Sequence, residues 1–178
     1  MKTCALYGIA IAVADALLVL VLFFLGFHSD PAKLPAAQWI GGLGALAIGV
    51  TFTALGVKAR RAEIPETEPF GYGGALWAGV KVSFVACLLS SVFNYAYSAF
   101  INPGLTDIIV QDRLDKMQAR GMGSAQTDQA ERFIRFLMSP GVYAVYTFFL
   151  GMILALVLCL IIAAFLKRGE PAEPPIQA

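Results

Sequence analysis

Long apolar blocks alternate with shorter polar connections along the chain. Four blocks, at about 5–27, 36–57, 75–101 and 142–166, each exceed twenty residues. At ~1.5 Å per helical residue, each crosses the ~30 Å hydrocarbon layer of a bilayer. Backbone groups in lipid must find partners within their own segment, so the pattern predicts helices. The third block is the longest and is expected to tilt or to extend past the membrane surface. The first connection, 28–35, is a short turn with two prolines. The second, 58–74, carries Lys58, Arg60 and Arg61, then Glu63, Glu66 and Glu68. The third, 102–141, reads as two helices broken by Gly121-Met122-Gly123. The first of these runs from about 104 to 120, with Leu105, Ile108, Ile109, Leu114 and Met117 apolar. Ser124 is the candidate N-cap of the second, whose apolar face is Ala130, Phe133, Ile134 and Leu137, and Pro140 stops it. The predicted fold is all-α: a four-helix transmembrane bundle with an extramembrane helical hairpin between helices 3 and 4. Residues 1–168 form one integral membrane domain, and 169–178, with Pro171, Pro174 and Pro175, are expected to be a disordered tail.

Composition supports the same class. Hydrophobic residues make up 58% and charged residues 14%, against roughly 45–50% and 25% in soluble domains. A formal net charge of +1 gives no sign of a general affinity for nucleic acid. Cys4, Cys87 and Cys159 lie in separate apolar segments and read as packing residues. A single histidine, His28, excludes a multi-histidine metal site. The apolar run from Ala5 to Phe27 is too long for a signal core and lacks a small-x-small cleavage site, so it reads as a retained first span. Basic residues are equal in number on the two sides. Lys2, Lys58, Arg60, Arg61, Lys167 and Arg168 abut helix ends, whereas most of the others sit mid-loop. That adjacency favours both termini in the cytoplasm.

Each span carries small residues four apart, such as Cys4, Gly8, Ala12 and Ala16, or Gly151, Ala155, Cys159 and Ala163. Such ridges let helices approach closely in lipid. The third span also carries Ser83, Cys87, Ser90, Asn94 and Tyr97 at steps of four and three, which places them on one face. This stripe reads either as interhelical hydrogen bonding or as the lining of a cavity. Asp15 and Lys81 are the only charges within spans, and intramembrane ionisable groups are functional candidates. They are expected to form a buried bridge between the first and third helices. Snorkelling of Lys81 and a neutral, hydrogen-bonded Asp15 are the competing readings. His28, Ser29 and Asp30 resemble a catalytic triad in composition alone, because adjacent residues rarely place their side chains as a triad requires. No phosphate loop, zinc motif or nucleophile elbow is present.

Several features occur in a characteristic order: Phe70-Gly71-Tyr72-Gly73-Gly74-Ala75, Gly79 and Lys81, Asn94-Tyr95-Ala96-Tyr97, and Ile101-Asn102-Pro103. A charged helical loop with Gly121 and Gly123, then Pro140, Gly151 and Lys167-Arg168 follow. In this the chain resembles, over about 5–168, the bacterial membrane-protein family catalogued as domain of unknown function 4199. The resemblance implies four helices in a bacterial inner membrane and brings no activity, cofactor or catalytic residue. The expected function is a non-enzymatic membrane component that sits in the lipid bilayer and oligomerises or binds a membrane-protein partner. The alternative is a small transporter or channel subunit using Asp15, Lys81 and the stripe of Ser83, Ser90, Asn94 and Tyr97.

Overall fold

The computed structural model describes residues 1–168. The proposed tail at 169–178 lies outside them. The described residues are almost entirely helical, and four of the six helices are long and apolar enough to cross a membrane. Those four are α1 (Lys2–Phe24), α2 (Leu34–Ala62), α3 (Tyr72–Ala96) and α6 (Pro140–Leu166). Between α3 and α6 lie α4 (Leu105–Ala119) and α5 (Ser124–Leu137).

The helix ends follow local chemistry. α1 stops three residues before Phe27 because Gly26 adopts φ +77°, a conformation that glycine takes without a Cβ penalty. Its amide donates to Phe23 O (2.9 Å) while Phe27 N–H donates to Leu22 O (3.0 Å), closing a Schellman motif. Gly121, at φ +78°, closes α4 in the same way onto Gln118 and Met117. The expected N-cap at Ser124 is displaced by one residue. Gly123 holds that position, Ser124 is the first helical residue, and Thr127 Oγ1 donates to the Ser124 carbonyl at 2.8 Å. α3 runs into a π-helical turn, Tyr97–Ile101, where Asn102 N–H donates to Tyr97 O at 2.7 Å. Pro140 both bars α5 from continuing and occupies the first turn of α6, where a missing N–H costs nothing.

α3 is the hub, packed most extensively on α6 and α1. Small residues set those distances. A Cβ on Gly8 would stand 2.6 Å from Val82 O, and one on Gly79 would stand 2.9 Å from Cys159 Sγ. α1 and α3 run parallel with a constant stagger, since Gly8 rests on Val82 while Phe23 meets the Tyr97 ring edge-on at 6.0 Å. α2 and α6 run antiparallel to them, as the contacts of Gly44 with Leu18 and of Gly151 with Cys87 require. The up-down-up-down course gathers Lys2, Lys58, Arg60, Arg61, Lys167 and Arg168 at one end. There the guanidinium of Arg168 donates to Pro65 O (2.7 Å) and Glu68 O (2.8 Å), pinning the α2–α3 connection. Glu63 accepts from Thr3 and Arg60, which hold its carboxyl below the usual value.

The bundle is apolar outside and small or polar within. Leu17, Trp39, Phe84, Phe149 and Ile153 are exposed, while Ala75, Ala78, Ser83 and Ala163 are buried. A soluble bundle would reverse this arrangement.

Candidate functional site

A cleft of about 370 Å³ is lined by all four long helices. Its walls come from short side chains. α2 contributes Gly42, Ala45 and Gly49, and α6 contributes Gly151 and Ala155. A Cβ on Gly42 or Gly49 would meet nothing within 4 Å, so these two glycines of α2 create space and do not bring helices together. Below the cleft, Val57, Val82 and Ala163 are 0% exposed and Cys159 is 1%, a layer that closes it toward the basic end.

Asp15 projects into the cleft from α1. Its Oδ1 is buried and has no hydrogen-bond partner among the described residues. Facing it from α3 are Ser83, Cys87, Ser90, Ser91 and Asn94. Most of these bind α6: Ser91 Oγ donates to Ala144 O (2.7 Å), Asn94 Nδ2 to Thr147 Oγ1 (3.5 Å), and Ser83 Oγ lies 3.5 Å from Cys159 Sγ. Interhelical bonding and cavity lining therefore coexist on one stripe. Ser90 belongs to the lining and, among the described residues, has no side-chain hydrogen bond to a neighbouring helix. An unsatisfied carboxylate oxygen beside hydroxyl and amide groups, within apolar walls, can take a hydrogen-bond donor or a cation.

Two expectations change. Asp15 and Lys81 form no ion pair among the described residues. The stagger of α1 on α3 sets Lys81 level with Tyr7, eight residues or ~12 Å short of Asp15. Lys81 instead places Nζ 5.4 Å from the Trp77 ring centroid. Tyr97 leaves the stripe as well. It is 4% exposed and belongs to a separate cluster, with His28 Nδ1 2.6 Å from its Oη and Asn102 Nδ2 donating to that oxygen at 3.2 Å. With the Tyr97 O–H donating to Nδ1, the imidazole is the neutral tautomer that carries its proton on Nε2. Burial also holds the His28 pKa below its ordinary value. Asp30, the third member of the triad-like trio, accepts from Ala32 N–H at 3.0 Å and caps a turn.

Thr53, Ser91 and Thr147 also line the cleft. Ser91 and Thr53 stand on the small-residue ridges of their helices, and Thr147 precedes Gly151 by one turn, so that spacing was their signal. Among the described residues, no group of His, Cys, Asp and Glu could hold a metal ion.

A family model described as "Protein of unknown function (DUF4199)" matches residues 6–168. The chain belongs to this family. No curated protein and no solved structure matches the chain. Within the family description, the chain contributes an all-α bundle with four helices suited to a membrane.

Proposed function

We propose that this chain is a non-enzymatic, four-span protein of a bacterial inner membrane that binds a small amphipathic ligand within the bilayer, at Asp15. The carrying observation is the unpartnered Asp15 Oδ1 in a cleft whose other walls are mostly apolar. A volume of about 370 Å³ suits a small molecule with one cationic or donor head and an apolar body. The buried layer of Val57, Val82, Cys159 and Ala163 favours a binding site over a continuous path. Both termini lie in the cytoplasm in this reading, with α4 and α5 outside.

Binding of a dansyl-labelled alkylamine to the full chain in nanodiscs tests it. We expect saturable binding, weakened at least about tenfold by Asp15→Asn and unaffected by Lys81→Met. Non-saturable uptake, equal in the wild type and Asp15→Asn, would remove the site.

A second reading, attachment of a membrane-protein partner or a second copy through α4–α5, draws on Phe133 and Phe136, each 61% exposed. The two helices are held together by Arg135, which bonds Asp107 at 2.6 Å. Co-purification from native membranes, with and without residues 104–139, separates the readings. A lone monomer in both cases excludes this one.

A further inference from the structure

We propose that a second cavity, between the start of α1, the α2–α3 connection and the start of α3, binds the phosphate of an anionic phospholipid. The cavity holds about 340 Å³ and is lined by two basic side chains, Lys81 and Arg60, the latter also bonded to Glu63. Lys81 stands nine residues past Tyr72, ~14 Å along the helix, in a segment with no other charge. No carboxylate pairs with it among the described residues. Trp77, one turn back toward the helix start, draws its ammonium toward the surface. Glu63, at the start of the connection, is already bound by Arg60 at 2.5 Å and by Thr3. Lys81 is thus a cation in the apolar layer that lacks a counter-charge and faces a cavity.

The remaining lining completes an anion site. The floor is apolar, formed by Cys4, Phe70 and Ala78. α3 begins at the rim with no side-chain cap. Its first intrahelical bond is Ala75 N–H to Gly71 O, which leaves the amides of Tyr72, Gly73 and Gly74 without helical acceptors. Of these three residues Gly74 lines the cavity, and the positive end of the helix dipole adds to the two side chains.

Charge alone would suit a free phosphate ester equally well. A lipid is favoured by what continues from the cavity. Trp77, Lys81, Phe84 and Leu88 recur at helical spacing and share one face of α3. Trp77, Phe84 and Leu88 are 60%, 48% and 46% exposed. A phosphate seated at Lys81 would lay its acyl chains along that face, whereas a free anion has no use for it. The inference rests on α3 crossing a bilayer and is independent of the Asp15 cleft.

The test uses the full chain in nanodiscs of equal phosphatidylglycerol and phosphatidylcholine, with retained lipid identified by native mass spectrometry. We expect phosphatidylglycerol to be retained at least about fivefold over phosphatidylcholine. Lys81→Met and Arg60→Met should each erase most of that preference, and Lys81→Arg should keep it. Lys58→Met removes an exposed charge at the same end but outside the cavity, and should also keep it. Excess glycerol phosphate should not compete. Equal retention of the two lipids, an equal loss in Lys58→Met, or competition by glycerol phosphate would each overturn the proposal. Should Lys81→Met fail to fold, Arg60→Met still decides. Failure of the wild-type chain to enter nanodiscs would instead overturn the four-span reading.

Discussion

Single atoms decide where this bundle is tight and where it is open. A Cβ on Gly8 would press on Val82 O at 2.6 Å and on Val85 Cβ at 2.7 Å, and a carbonyl cannot rotate away. Gly8→Val should therefore force α1 from α3 and cost about 1–3 kcal/mol, read as a lower thermal midpoint in detergent. Gly49→Ala adds a methyl to open space and should leave the midpoint nearly unchanged. If both variants behave alike, Gly8 does not seat α1 on α3. His28 makes a pH prediction. Burial lowers its folded pKa below the ordinary 6.5, so between those values the unfolded chain binds more protons than the folded one. Stability from this group is complete above about pH 6.5 and falls as acid approaches the folded value. Protonating Nδ1 also removes the acceptor for the Tyr97 hydroxyl. His28→Gln should flatten the midpoint between pH 7.5 and pH 5.5, and an unchanged slope would dissociate His28 from it. Glu63, with its pKa depressed, acts only at lower pH, where losing its charge releases Thr3 and Arg60.

Helix existence was legible in the sequence, while helix relations were not. Runs of twenty apolar residues leave one solution in lipid, and all four appear. The ends were less legible, because a left-handed glycine overrides apolar continuation. Gly26 stops α1 although Phe27 is as apolar as Phe24. Gly26→Ala should cost about 1–2 kcal/mol by placing a Cβ at φ +77°, whereas nothing near the site would clash with it. Comparison with Gly141→Ala, which also meets nothing within 4 Å but has no positive φ, isolates the backbone contribution. Equal midpoints for the two variants would contradict the Schellman geometry. The candidate site divided along the same line. Asp15 and the serines on α3 could be placed on faces from spacing alone, and the cleft joins them. Depth within each helix says nothing about stagger between two parallel helices. That stagger is set by Gly8 seating on Val82, and it separates Lys81 from Asp15. Tyr97 shared the periodicity of the stripe but was captured by His28, a contact between residues 69 apart that no local pattern announces.

The whole molecule is organised by two ends of different character around an inverted interior. At one end Lys2, Lys58, Arg60, Arg61, Lys167 and Arg168 crowd the helix termini, and Arg168 and Thr3 tie the α2–α3 connection to the end of α6 and the start of α1. At the other end the basic residues are spread through α4 and α5, and Lys116 and Arg135 pair with Asp112, Asp107 and Glu131. Positive charge close to a span opposes its translocation far more than charge in a long loop does. On the proposed reading the crowded end lies in the cytoplasm, together with the Lys81 cavity that faces it. This assignment fixes every span, because the up-down order leaves no freedom once one end is placed. It can be tested by labelling intact cells with a membrane-impermeant maleimide. The native thiols give a low background, since Cys4 and Cys159 are buried and Cys87 is partly so, all within long apolar helices. Asp115→Cys, on α4, should label in intact cells. Lys58→Cys, at the end of α2, should label only after the membrane is permeabilised. The opposite result would invert the molecule and move the Lys81 cavity to the outer leaflet. Labelling of both before permeabilisation would mean that α2 and α3 do not cross the bilayer, and the Asp15 cleft would lose the lipid surroundings on which its chemistry depends.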